Sequence, residues 1–183
     1  QAARELSLAN EYILGCVRER LLASAPPTAA TGQPDFASRD NRLDIADPEL
    51  FARKPGAILD AFLVLQRQPG LNGFTPGALH ALWRARSRVD AGFRRDPGNR
   101  ARFIALFQET RGITMALRLM HRLGILGRYL PAFGRITGQM QHDLYHIHPG
   151  VEHILMVLRN LRRMAMPEYA HELPFAHRIM SEY

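Results

Sequence analysis

The chain is expected to be all-α. Apolar residues recur at helical spacing in six or more segments, four segments open on an X-Pro pair, and no stretch alternates convincingly as a half-buried strand does. Proline suits a first helical turn because the N–H it lacks would have no partner there, and its fixed φ already matches the helix. One short extended piece is expected at Arg42 to Ile45, and no more than one short strand pair.

The first helix is expected from about Ala3 to Ala23, with Leu14, Val17 and Leu21 on an apolar stripe beside Leu6 and Ile13. Residues 24–41 contain Pro26-Pro27 and Thr31-Gly32-Gln33-Pro34 and lack large aliphatics, so they read as a mobile loop or linker. Asp47-Pro48-Glu49 then reads as N-cap, first-turn proline and first-turn acid. Lys54-Pro55 opens the next helix, with Ile58, Leu59, Phe62 and Leu65 on one face and Pro69-Gly70 closing it. Thr75-Pro76 opens a third, with Leu79, Leu82 and Trp83 inward. Asp96-Pro97 opens a fourth, with Phe103, Ile104 and Phe107 inward. A fifth runs from Ile113 to Leu123 and stops at Gly124. Ile125 to Met140 is glycine-rich and reads as turns with one short helix. An amphipathic helix returns from Pro149 to Met164, with Ile154, Val157, Leu158 and Leu161 facing a core and Arg159, Arg162 and Arg163 opposite. No fixed internal period supports a solenoid.

The 183 residues are 46% hydrophobic and 22% charged, ordinary globular usage that excludes a disordered tail or a collagen-like repeat. No apolar run approaches the roughly 18 residues of a membrane span. Cys16 is the single cysteine, so no intrachain disulfide can form, and a reducing, cytoplasmic setting is expected. The 24 Lys+Arg outweigh 17 Asp+Glu, and Lys54 is the only lysine. Because the arginines look scattered over every helix, the excess reads as composition, and a nucleic-acid partner is not expected. The chain begins at Gln1 without methionine and stops at Tyr183 inside a helix-like pattern, so a fragment of something larger is expected.

Four histidines, His142, His146, His148 and His153, lie close together with Asp143 and Glu152, residue types that ligate divalent metals. His142 and His146 could share a helix face, but Pro149-Gly150 turns the chain between His148 and His153. The dipeptide His142-Asp143, with His121 before it, imitates a metal-binding His-Asp pair, but no aspartate follows Asp143 to close the shell. Phosphate-binding loops, GxGxxG and Gly-x-Ser-x-Gly are absent. Cys16 falls on the apolar side of its helix, a packing position rather than that of a nucleophile. Arg84-Ala85-Arg86-Ser87-Arg88 reads as a solvated helix end favoured by the dipole.

The run Gly124-Ile125-Leu126-Gly127-Arg128-Tyr129-Leu130-Pro131-Ala132-Phe133-Gly134-Arg135-Ile136 continues through Thr137-Gly138-Gln139-Met140-Gln141-His142-Asp143-Leu144-Tyr145-His146 to Glu152-His153-Ile154-Leu155-Met156-Val157-Leu158. It closely resembles the bacterial PII-protein uridylyltransferase/uridylyl-removing enzymes, at the end of their helical linker and the start of their HD domain. A weaker resemblance covers Asp47 to Gln66 and Asn99 to Leu123, and Gln1 to Leu22 looks like the first long helix of that region. The resemblance implies residues 1–23 as that helix, 24–41 as the loop, 42–139 as the helical linker domain that follows a nucleotidyltransferase domain, and 140–183 as the N-terminal part of an HD phosphohydrolase domain.

Members of this family attach UMP from UTP to a tyrosine of a PII signalling protein, hydrolyse it off in a metal-dependent HD domain, and sense glutamine in ACT domains. By this resemblance His153 is the first HD-domain ligand of Mg or Mn, with Glu152, His146 and Asp143 as supporting residues. The transferase carboxylates and the later HD ligands have no counterpart here, so no catalytic set is complete and the chain is expected to be inactive alone. Where the family has Tyr-Thr-Val-Asp this chain has His148-Pro149-Gly150-Val151, and Val151 lacks the carboxylate. The alternative reading is a non-catalytic basic helical module that binds a protein or nucleic-acid partner.

Overall fold

The computed structural model describes residues 6, 9–10, 12–17, 28–29, 33–139, 149–172 and 174–180. Contacts divide the chain into two compact units, Gln1–Gly138 and Gln139–Tyr183. Both are built mainly of helices, as the periodicity requires.

The first unit carries a small sheet: β1 (Thr28–Ala29), β2 (Phe36–Arg39) and β3 (Arg42–Ile45), antiparallel in that order. Its third strand exceeds the expected single pair, and β2 lies where the sequence reads as a mobile loop. The hairpin turn explains this. Asp40 and Asn41 both adopt positive φ, 49° and 58°, the conformation a two-residue hairpin demands and Asx side chains tolerate. Pairing Ser38 with Leu43 and Phe36 with Ile45 puts Phe36 and Leu43 on one face, and both are buried. The remaining residues of the expected loop, 24–27 and 30–32, lie outside the described residues.

After the sheet come the helices α1 (Leu50–Arg53), α2 (Ala57–Arg67), α3 (Pro76–Ala85), α4 (Ala91–Arg95), α5 (Pro97–Gln108), α6 (Ile113–Arg122), α7 (Ile125–Tyr129) and α8 (Pro131–Gln139). Helix α2 is the centre. Ile58, Leu59, Ala61, Phe62 and Leu65 are all at most 1% exposed, and Leu63 and Val64 are buried as well, so burial extends beyond the single expected face. Each such aliphatic or aromatic side chain contributes about 1.5–3 kcal/mol relative to exposure. Phe62 meets Phe74 edge-on at 5.3 Å between ring centroids.

Capping follows the sequence at two of the four X-Pro starts. The Thr75 hydroxyl accepts from Ala78 N at 3.2 Å, and Asp96 Oδ1 accepts from Asn99 N at 2.8 Å. Asp47 instead accepts from Glu49 N at 2.9 Å in a turn, and α1 begins one residue past Glu49. Helix α2 starts after Gly56, with no side-chain cap at Lys54-Pro55. The short helix α4, unforeseen, is capped by Asp90. In α5 the inward residues are Asn99 and Leu106; Ile104 faces solvent, and Phe103 and Phe107 are half-buried. The glycine-rich stretch forms two helices, not turns. Gly127 and Gly134 let α7 and α8 cross closely: a Cβ on Gly134 would lie 2.7 Å from the Gly127 carbonyl oxygen.

Residues 12–17 are helical, yet Ile13, Leu14 and Val17 are exposed. This helix meets α3 through Gly15 on Pro76 and Tyr12 stacked on His80 at 4.9 Å. The expected apolar stripe is therefore not the packed side. Trp83, expected inward, is half-buried, with the Arg86 guanidinium 3.9 Å from its ring centroid and Arg86 Nη1 donating to Trp83 O at 2.8 Å.

The second unit holds α9 (Pro149–Ala165), a 3-10 turn Pro167–Tyr169 and α10 (Pro174–Met180). A His177 Nδ1···Met164 O contact of 2.8 Å and an Arg163–Glu172 ion pair of 2.5 Å hold them together. Among the described side chains of α9, Leu155 is buried, while Ile154, Val157 and Leu161, expected to face a core, are exposed. Leu158 is half-buried, as are Arg162 and Arg163 from the side expected to be solvated. Among the described residues no helix is long and apolar enough to cross a membrane.

Candidate functional site

A cleft of about 640 Å³ opens in the first unit between the start of α2 and the α4–α5 corner. Its walls carry charge of both signs, largely neutralised internally. Arg102 Nε donates to Asp60 Oδ1 at 2.9 Å, and Lys54 Nζ donates to Asp35 Oδ2 at 3.0 Å. Asp90 Oδ1 accepts from Phe93 N at 2.8 Å. That N–H holds the Asp90 carboxyl below the usual carboxylate range; burial opposes it, and the Gly92 N–H and the Arg94 charge assist. At the base, buried Asn99 donates Nδ2 to Phe93 O at 3.2 Å, and its main-chain carbonyl accepts from the Tyr129 hydroxyl at 3.4 Å. Burial pushes the Tyr129 phenol up, and the Arg100 charge works against this.

Chemically the cleft is a polar recess. Among the described residues its lining includes no Ser, Thr, Cys, His or Tyr, so it offers no hydroxyl, thiol or imidazole as a nucleophile or base. Sequence reasoning did not single it out, because Asp60 and Arg102 are brought together only by the packing of α2 on α5.

The metal-binding expectation falls on α9. His153 lies there with an exposed side chain, beside exposed Ile154. Glu152 belongs to the same helix, but its side chain is outside the described residues, as are His142, Asp143, His146 and His148 altogether. Among the described residues no three His, Cys, Asp or Glu side chains gather as a metal site. His121 is buried, with its ring edge-on to Phe133 at 5.6 Å, which makes it a core histidine. Cys16 is half-buried.

Known proteins resemble this chain over its full length. A relative from Thiobacillus denitrificans, described as a bifunctional uridylyltransferase/uridylyl-removing enzyme, is 51% identical over 184 residues, covering 100% of this chain and 21% of the relative. Relatives with the same description from Ralstonia nicotianae and Chromobacterium violaceum are 46% and 45% identical, each again over 100% of this chain and 21% of their own length. The chain thus spans about a fifth of the relatives it matches. No solved structure matches it. Residues 36–129, from the β2 hairpin to the end of α7, match the family described as uridylyltransferase GlnD third domain. That span holds the buried α2 core and all of the cleft lining except Asp35, and it is just over half of the sequence: the chain belongs to the uridylyltransferase GlnD third-domain family.

Proposed function

We propose that this chain is the helical region of a bifunctional, cytoplasmic enzyme that attaches UMP from UTP to a tyrosine of a PII signalling protein and hydrolyses it off again, under glutamine control. In this reading the first unit is the linker that follows the nucleotidyltransferase domain, and the second is the opening of the HD hydrolase domain. The observation that carries it is the full-length similarity to a fixed fifth of relatives described as bifunctional uridylyltransferase/uridylyl-removing enzymes.

His153 is the residue of this chain assigned to the hydrolytic metal. A bound Mg or Mn would supply a water of lowered pKa and polarise the phosphoryl oxygen. One imidazole does not outcompete water for such an ion, which favours carboxylate oxygens and keeps several of its waters. In this reading the other ligands come from elsewhere in the whole enzyme. What His153 offers is an exposed imidazole on a helix anchored through Leu155.

The test is activity by parts. The isolated chain should turn over neither UTP with PII nor uridylylated PII, while the full-length enzyme should do both. Turnover of either substrate by the isolated chain would overturn the assignment.

A further inference from the structure

Positive charge is concentrated in one part of this chain, which corrects the expectation of scattered arginines. Residues 1–60 carry seven cations and nine acids, and residues 143–183 carry four and five. Residues 61–142 carry thirteen arginines against three acids. The entire net charge of +7, and more, therefore resides in the stretch from α2 to the end of α8.

The fold gathers part of this surplus on one face. Arg94 Nη1 donates to Arg128 O at 2.9 Å, and Arg100 Nε donates to Arg94 O at 3.1 Å. Ring contacts fix the three elements behind them: Phe93 meets Tyr129 edge-on at 6.3 Å, and Phe103 stacks on Tyr129 at 4.0 Å. Several cations elsewhere are matched, as in Arg39–Asp44, Arg67–Glu109 and Arg102–Asp60. Among the described residues Arg94, Arg95, Arg100 and Arg128 have no carboxylate within ion-pair distance. The two acids nearest in sequence, Asp90 and Asp96, cap the first turns of α4 and α5. Arg94 and Arg100 are held by main-chain carbonyls, so little rotamer freedom remains to be lost on binding, and the other guanidinium N–H groups stay available.

We propose that this face docks an acidic protein surface through its carboxylates. Guanidinium forks match carboxylates bidentately, and complementary charge raises association rates and fixes orientation. Asp90 and Asp96 stand among the arginines, and the adjoining cleft adds Asp35 and Asp60. A face of alternating sign suits a protein, whose surface carries both charges, better than the single-sign backbone of a nucleic acid.

The test is fluorescence anisotropy of fluorescein-labelled deca-glutamate with the whole chain at about 50 mM salt, repeated near 0.15 M, where the Debye length is about 8 Å. Arg95 and Arg128 are exposed and their side chains make no bond within the described residues, so Arg95→Glu/Arg128→Glu should fold, which circular dichroism melting checks. This variant should bind at least tenfold more weakly, and the neutral Arg95→Gln/Arg128→Gln should fall between it and the parent. Arg111→Glu/Arg159→Glu, with the same change in net charge elsewhere, should lose less than threefold. An equal loss in that control, tighter binding of a labelled 20-nucleotide oligothymidine than of deca-glutamate, or no deca-glutamate binding at low salt would overturn the proposal.

Discussion

Gln66 shows how one buried polar side chain closes a corner. Its Nε2 donates to Leu106 O at 3.2 Å and to Arg111 O at 3.1 Å, bracing the connection from α5 to α6 against α2. Gln66→Leu keeps the volume but leaves both carbonyls without this donor. Urea unfolding should show a loss of about 1–3 kcal/mol, the cost of unpaired buried acceptors. Asp90 acts through charge. Its folded pKa lies below the ordinary value because the ionised carboxylate caps α4. It therefore adds stability above the unfolded carboxylate pKa of about 3.9, and that contribution disappears as pH falls through the lower folded value. The melting temperature of Asp90→Asn should lie below that of the parent at neutral pH, with the gap closing as pH falls below the unfolded carboxylate pKa of about 3.9. A gap that does not change with pH would contradict the capping role.

Between elements, the closest approach is that of α7 and α8. Gly134→Ala puts a methyl 2.7 Å from the Gly127 carbonyl oxygen, a backbone atom that cannot turn aside. The helices must separate, and a loss of about 1–3 kcal/mol by thermal or urea unfolding is expected, typical of overpacking. Unchanged stability would mean that the two helices do not cross there. This is also where the sequence was least legible. Glycines at 124, 127, 134 and 138 read equally well as turns; only Gly124, with φ of +73°, is used that way, at the start of α7. Close backbone approach is a tertiary fact that local spacing does not contain. The β2–β3 hairpin was half legible. Arg42 to Ile45 shows itself as extended, but Asp40-Asn41 is a weaker turn signal than Asn-Gly, and Phe36 is the lone large apolar residue of β2. Thr75 and Asp96, by contrast, announce their helices, because an N-cap followed by proline is a local chemical requirement that packing does not change.

For the molecule as a whole, kinship was legible where fold detail was not. The run from Gly124 to Ile136 and the segment Glu152 to Leu158 point to the family, although the structure turns Ile154 and Val157 outward. The site itself was legible only as residue types, since His142, Asp143 and His146 fall outside the described residues, and the cleft depends on contacts between α2 and α5 distant in sequence. The central proposal is that the second unit opens a hydrolase whose metal takes His153 as a ligand. Because His153 is exposed, His153→Ala should move stability by no more than about 0.5 kcal/mol, as surface substitutions do. The most direct measurement is UMP addition to and UMP removal from PII by full-length His153→Ala, with its melting temperature recorded alongside. Removal should be abolished while addition and melting temperature stay at parental values; removal at the parental rate would contradict the assignment.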